Sequence, residues 1–144
     1  MDHVVCLDAA ASELENLFNG NKSMILRGAD VRDLPYGSVN NGDTLYFINS
    51  TGKGEVQARC IVSSVFKSEK LSLEESFETI IRHQDKLQLP DKQFERWAGK
   101  RYLILIGIID IEEVEPFRID RSRFACPDDW LPVGDIDIVA IDHS

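Results

Sequence analysis

Two stretches of this chain carry opposite hydropathy patterns, and together they dictate the kind of sheet it can build. In residues 55–66, Val56, Ala58, Cys60, Val62 and Phe66 fall on one side, with Glu55, Gln57, Arg59 and Ser63 on the other. A period of two belongs to a strand with one packed face and one wet face. Residues 102–109, Tyr-Leu-Ile-Leu-Ile-Gly-Ile-Ile, are apolar without alternation. Such a run needs cover on both sides and predicts a central strand.

The rest of the chain supplies the cover. Residues 44–49 read as a strand joined to the alternating one by Ser50-Thr51-Gly52-Lys53-Gly54, a five-residue hairpin loop. Val4, Val5 and Leu7 suggest a short opening strand. Ala10, Leu14, Leu17 and Phe18 then recur at helical spacing, with Asp8 as candidate N-cap and Gly20 where a glycine ends a helix. Residues 22–27 read as a strand, and 30–43 as turns around Pro35-Tyr36-Gly37 and Asn41-Gly42-Asp43. Ser72-Leu73-Glu74-Glu75 has the form of a capping box, ahead of a helical stripe of Leu73, Phe77, Ile80 and Ile81. A second short helix starts at Asp91 after Pro90, with Phe94 and Trp97 inward, and ends at Gly99. Beyond Arg118 the tail is irregular, anchored by Trp130 and Leu131, and Ile136, Ile138, Val139 and Ile141 add a last short strand.

Strands and helices do not alternate, which disfavours a doubly wound α/β fold. The expectation is an α+β domain: a mixed pseudo-β-barrel of five to six strands with flanking helices. At 144 residues and 43% hydrophobic, the chain suits one domain spanning 1–144. No apolar run approaches the ~20 residues of a membrane span, and the start lacks a basic signal region. Cys6, Cys60 and Cys126 are far apart and odd in number, and His3, His83 and His143 add no ligand spacing. A reduced cytoplasmic protein with no metal and no cofactor is expected. A formal charge of −9 argues against whole-surface attraction to a polyanion, so any nucleic-acid contact must be local.

The candidate site begins at Gly20-Asn21-Lys22-Ser23-Met24-Ile25-Leu26-Arg27. Two cations five apart at the start of a strand are costly to place against a core. On an ideal strand an odd offset points Lys22 and Arg27 to opposite faces, so they converge only if Lys22 lies at an irregular strand start or a bulge intervenes. Otherwise Lys22 is a solvated lysine and Arg27 a partner for Asp30 or Asp43. Ser23 could donate to a phosphate or carbonyl oxygen. A second cationic group, Lys92, Arg96, Lys100 and Arg101, surrounds Trp97, in a combination suited to base stacking and phosphate contact. The same residues also fit a packed indole and the solvated side of a helix. Carboxylates for acid–base work are Glu74, Glu75, Glu78 and Asp85, the first two also favoured simply by the helix dipole. Cys60, on an apolar face, is no nucleophile. Thr51-Gly52-Lys53-Gly54 lacks the spacing of a phosphate loop.

The segment Gly20-x-Lys22-x-x-Ile25-x-Arg27 resembles the Gly-x-Lys-x-x-Glu-x-Arg signature of the ASCH domains, a branch of the PUA-like superfamily. The helix before it, Gly42-Asp43 opening the next strand, and the order of elements up to Trp97-Ala98-Gly99-Lys100-Arg101-Tyr102 fit as well. The resemblance covers about residues 10–117, leaving 118–144 as a C-terminal extension packing on the barrel. It implies a PUA-like pseudo-barrel with a cleft for RNA, a nucleotide or a nucleoside around Lys22 and Arg27, to which the reading of the residues adds Ser23, Lys100 and Arg101 as ligand-binding candidates. It also implies an enzyme as the alternative: a small amidohydrolase that deacetylates a modified nucleoside such as acetylated cytidine, with Lys22, Ser23 and Asp85 as its groups, or a ribonuclease. The family's polar residue is Ile25 here, and an aliphatic side chain can neither shuttle a proton nor attack. A third reading is a protein-interaction domain, which would show an apolar surface patch.

Overall fold

The computed structural model describes residues 1–7, 12–30, 39–49, 55–119, 130–138 and 140–141. The order is β1 (Asp2–Leu7), α1 (Glu13–Phe18), β2 (Met24–Ala29), β3 (Thr44–Asn49), β4 (Glu55–Lys67), α2 (Leu73–Arg82), α3 (Gln84–Leu87), α4 (Asp91–Trp97), β5 (Tyr102–Ile119), β6 (Trp130–Gly134), a 3-10 turn (Ile136–Ile138) and β7 (Ala140–Ile141). Six strands run side by side in the order β2-β5-β4-β3-β1-β6, and β7 pairs with the far end of β5. Among the described strands only β1 and β3 pair in parallel. Among the described residues no pairing joins β2 to β6, so the sheet is mixed and open, its six-strand order matching the expected number, with the two-residue β7 added at the end of β5.

The unalternating run behaves as its hydropathy requires. Ile104, Ile106 and Ile108 enter a core with Val5, Leu7, Leu14, Leu17, Ile25 and Phe47. Leu103 and Leu105, on the opposite face, pack with Leu26, Ile80, Leu87, Leu89 and Trp97 beneath the helices. Each fully buried Leu or Ile contributes roughly 1.5–3 kcal/mol, so this strand ties both layers together. β5 does not stop at Ile109. It continues through Glu112, Glu113 and Glu115, whose side chains are exposed, because β4 pairs with it as far as Arg118.

Two apolar expectations fail, the first because of a bulge. Phe66 is 53% exposed instead of packed. Between Val62 and Ser64 the ladder slips, β4 advancing two residues while β5 moves one, from Ile108 to Gly107. That bulge swaps the faces of β4, so Val65 packs against the inner core and Phe66 turns to the outer side. In α2 only Ile80 of the four stripe residues is fully buried. Leu73, Phe77 and Ile81 are 65%, 36% and 62% exposed.

Local signals worked well at the helix ends. Ser72 and Glu75 form the reciprocal capping box, at 3.1 and 2.9 Å. Gly20 follows the C-cap Asn19 with φ +82°, a left-handed conformation that favours glycine. The Asp8 cap, the 50–54 hairpin tip, the turn at 35–37, Cys126 and His143 lie outside the described residues. Trp130 is buried and opens β6, so part of the tail read as irregular is a strand beside β1.

Candidate functional site

The turn after Gly20 decides where Lys22 goes. Its backbone N–H donates to the Asn16 carbonyl at 3.0 Å, folding residues 20–23 back against α1 before β2 begins at Met24. Lys22 therefore lies outside the regular strand, and the odd-offset rule does not govern it. Arg27 lies on the face of β2 that carries Ile25, and that face turns inward. Both cations are buried, at 2% and 6% exposure.

The Lys22 ammonium donates to the Leu87 carbonyl of α3 and lies 3.9 Å from the Glu13 carboxylate. Glu13, itself 3% exposed, accepts from Gln93 Nε2 of α4 at 2.9 Å. The Arg27 guanidinium donates to the Leu26 carbonyl at 2.8 Å and to the Cys6 carbonyl of β1 at 3.1 Å, with its carbon 5.7 Å from the centre of the Trp97 ring. It thus spans from β2, at the edge of the sheet, to β1. Burial pulls the Lys22 amine down to about 8; Glu13 works against this, while the positive charge of Arg27 adds to it.

Two buried atoms of this cluster have no hydrogen-bond partner among the described residues: Arg27 Nε, a donor, and Gln93 Oε1, an acceptor. An unmet polar atom in a core costs roughly 1–3 kcal/mol, so two in one cluster call for an explanation.

The other site residues are placed differently. Ser23 is exposed; its N–H donates to Lys86 and its carbonyl accepts from Ile108. Lys100 pairs with Asp30 at 3.6 Å near the surface, its stem packed over Gly28. Arg101 and Asp85 are exposed. The salt bridges considered for Arg27 do not form: Asp30 takes Lys100, and Asp43 takes His3 and the Met1 ammonium. The carboxylate that the fold brings to Lys22 is Glu13. Its signal was present in the sequence, since Glu13 is three residues from Ala10 and four from Leu17, inside the apolar stripe of α1. Gln93 likewise lies four residues before Trp97. Trp97 is 6% exposed and belongs to the core beneath the helices, with Arg96 4.3 Å above its ring. Ile25 is fully buried and contributes no polar atom. Burial raises the Cys60 thiol to about 12, which keeps it protonated and inert.

A separate hollow of about 310 Å³ opens between α1 and the β4–β5 pair, lined by Leu14, Phe18 and Pro116 together with Glu15, Glu55 and Glu113. Its three carboxylates repel phosphate. No group of side chains suited to a metal ion occurs among the described residues, and none of their helices is long and apolar enough to cross a membrane.

An open mixed sheet with helices packed on it defines an α+β domain. Within that class the fold is the ASCH one. A mutant form of ASCH from Zymomonas mobilis superposes with a TM-score of 0.69 at 13% identity, over 95% of this chain and 93% of that one. The crystal structure of ASCH from the same organism gives 0.66 at 13% identity, over 92% and 87%. No family model matches the sequence, and no curated protein matches it.

Proposed function

We propose that this ASCH-fold domain binds a nucleoside, a nucleotide or one base of single-stranded RNA at the cluster of Lys22, Arg27, Glu13 and Gln93. The observation that carries the reading is the pair of unmet buried atoms, one donor and one acceptor. A nucleobase edge carries both acceptor and donor atoms, the two kinds of partner that Arg27 Nε and Gln93 Oε1 lack. Inorganic phosphate offers mostly acceptors, with one or two O–H donors near neutrality, and lacks the flat donor–acceptor edge of a base. Lys22 is already engaged by Glu13 and Leu87, so its role is to hold the carboxylate that orients Gln93.

The test is a calorimetric titration with cytidine, uridine, adenosine, guanosine, inorganic phosphate and a short single-stranded RNA, using the parent protein and Gln93→Leu. Saturable binding of a nucleoside or the RNA, weakened at least about tenfold in Gln93→Leu, is expected. Phosphate binding as tight as nucleoside binding, or equal affinities for parent and variant, removes the reading.

A second reading draws on the Lys22 amine at about 8 beside a carboxylate. Such an amine is partly deprotonated near neutrality and can take a proton from water attacking an amide carbonyl, as the deacetylation of an acetylated nucleoside requires. Chromatography for cytidine released from acetylated cytidine tests it, with a rate that rises to a plateau above pH about 8. No turnover above a Lys22→Met control rejects it.

A further inference from the structure

The exposed side of α2 is apolar, regular and charge-patterned. Leu73, Phe77 and Ile81 follow one another at four-residue steps along this ten-residue helix, at 65%, 36% and 62% exposure. Phe77 leans on Phe94 of α4 with ring centres 5.9 Å apart, which leaves the outer side of the stripe uncovered. Beside the stripe, again at steps of four, run Glu74, Glu78 and Arg82, all exposed. Glu74 and Arg82 make no ion pair within the described residues.

We infer that this face of α2 is a homodimer contact, with a second copy of the chain lying antiparallel across it. The sequence of the helix is complementary to its own reverse. A two-fold axis at Phe77 sets Phe77 on Phe77 and places Leu73 of one copy against Ile81 of the other. The same operation keeps the charged row on one flank and reverses its direction, so Glu74 of each copy lies about two residues, about 3 Å along the helix, from Arg82 of its mate, within reach of these long side chains. The row thus brings two opposite-charge pairs together at the ends, against one Glu78–Glu78 approach at the middle. A basic or acidic foreign helix would satisfy only one end of a row that changes sign along its length. This inference is independent of the ligand reading, because α2 contributes no side chain to the Lys22 cluster.

The contact is modest. Ten helical residues span about 15 Å, well short of the roughly 800 Å² per partner of a standard stable interface, so association in the micromolar range is expected. Sedimentation velocity over a concentration series of the full chain tests it, with far-UV circular dichroism to verify that each variant is folded. The parent should shift from monomer to dimer, and Ile81→Glu should weaken association by at least about tenfold. Glu74→Arg and Arg82→Glu should each weaken it, and the double reversal should restore it to within about twofold of the parent. A parent that stays monomeric at every loading, as it would if another protein covered this face, overturns the inference. So does a dimer indifferent to Ile81→Glu, or a double reversal no tighter than the single ones.

Discussion

The Lys22 ammonium and the Glu13 carboxylate face each other at 3.9 Å with both side chains almost wholly buried. A buried pair of this kind is weak evidence of stability, because desolvation offsets much of the attraction. Here desolvation wins for Lys22, whose amine falls from 10.5 to about 8.

That shift has a definite sign in stability. Between about 8 and 10.5 the unfolded chain holds a proton on Lys22 that the folded chain has released, so folding becomes more favourable as pH rises through this window. The full effect amounts to about 3 kcal/mol. The Cys60 thiol acts oppositely above 9, since burial raises it, but that contribution cancels when two variants sharing Cys60 are compared. Urea denaturation of parent and Lys22→Met at about pH 7.5 and about pH 10 should show the parent gaining stability relative to the variant. A relative loss on going alkaline contradicts the burial of Lys22.

Arg27 anchors through geometry more than charge. Its fork reaches carbonyls on β2 and β1, and its flat face lies toward Trp97. Arg27→Lys keeps the charge but supplies a single ammonium that cannot span both carbonyls. The variant should lose about 1–3 kcal/mol of stability and show faster amide exchange along β1 near Cys6. Unchanged exchange there would mean that the bond to β1 is idle.

How much of this was readable follows from the physics of each signal. The 44–49 strand, the Ser72 capping box and the glycine after α1 depend on neighbours in sequence, and they came through. Phe66 was misplaced because one extra residue in β4 reverses the faces of a strand, and no period analysis detects a bulge that hydropathy does not mark. β5 was cut short at Ile109 because its acidic continuation lacks the apolar pattern, yet the ladder to β4 sustains it. At the site, Lys22 and Arg27 were visible as a motif. Glu13 and Gln93 were not, because each sits singly on a stripe judged by its apolar members. Glu13 meets Gln93 from 80 residues away and Lys22 meets the Leu87 carbonyl from 65 away, pairings that no local window contains.

The cluster also limits how a polyanion can bind. Lys22 and Arg27 against Glu13 leave one net positive charge, in a chain of −9 overall. If single-stranded RNA binds here, few counterions are displaced, and the logarithm of affinity should fall with the logarithm of salt at a slope of about −1 or shallower. Filter binding from low to high potassium chloride measures it. A slope of about −4 or steeper would place the RNA on a different, strongly basic surface.

A second buried polar chain supports the far end of the sheet and makes its own prediction. Trp130 Nε1–H donates to His3 Nδ1 at 3.1 Å, and an indole can only donate, so the ring carries its proton on Nε2. That proton is given to Asp43 Oδ2 at 2.8 Å, where the Asn40 N–H also donates at 2.9 Å and the Met1 ammonium lies 3.4 Å from the other oxygen. Burial works against ionisation of Asp43, yet these donors together hold its carboxyl below the ordinary 3.8. A depressed carboxylate stabilises the fold above 3.8 and loses that contribution as pH falls toward its folded value. Asp43→Asn should therefore be less stable than the parent near neutrality and lose less stability on acidification, so the two urea midpoints converge between about pH 6 and about pH 3. Trp130→Phe should cost about 1–3 kcal/mol by leaving His3 Nδ1 unmet in the core. Parallel acid limbs for Asp43→Asn and the parent would show that Asp43 is not held ionised by these partners.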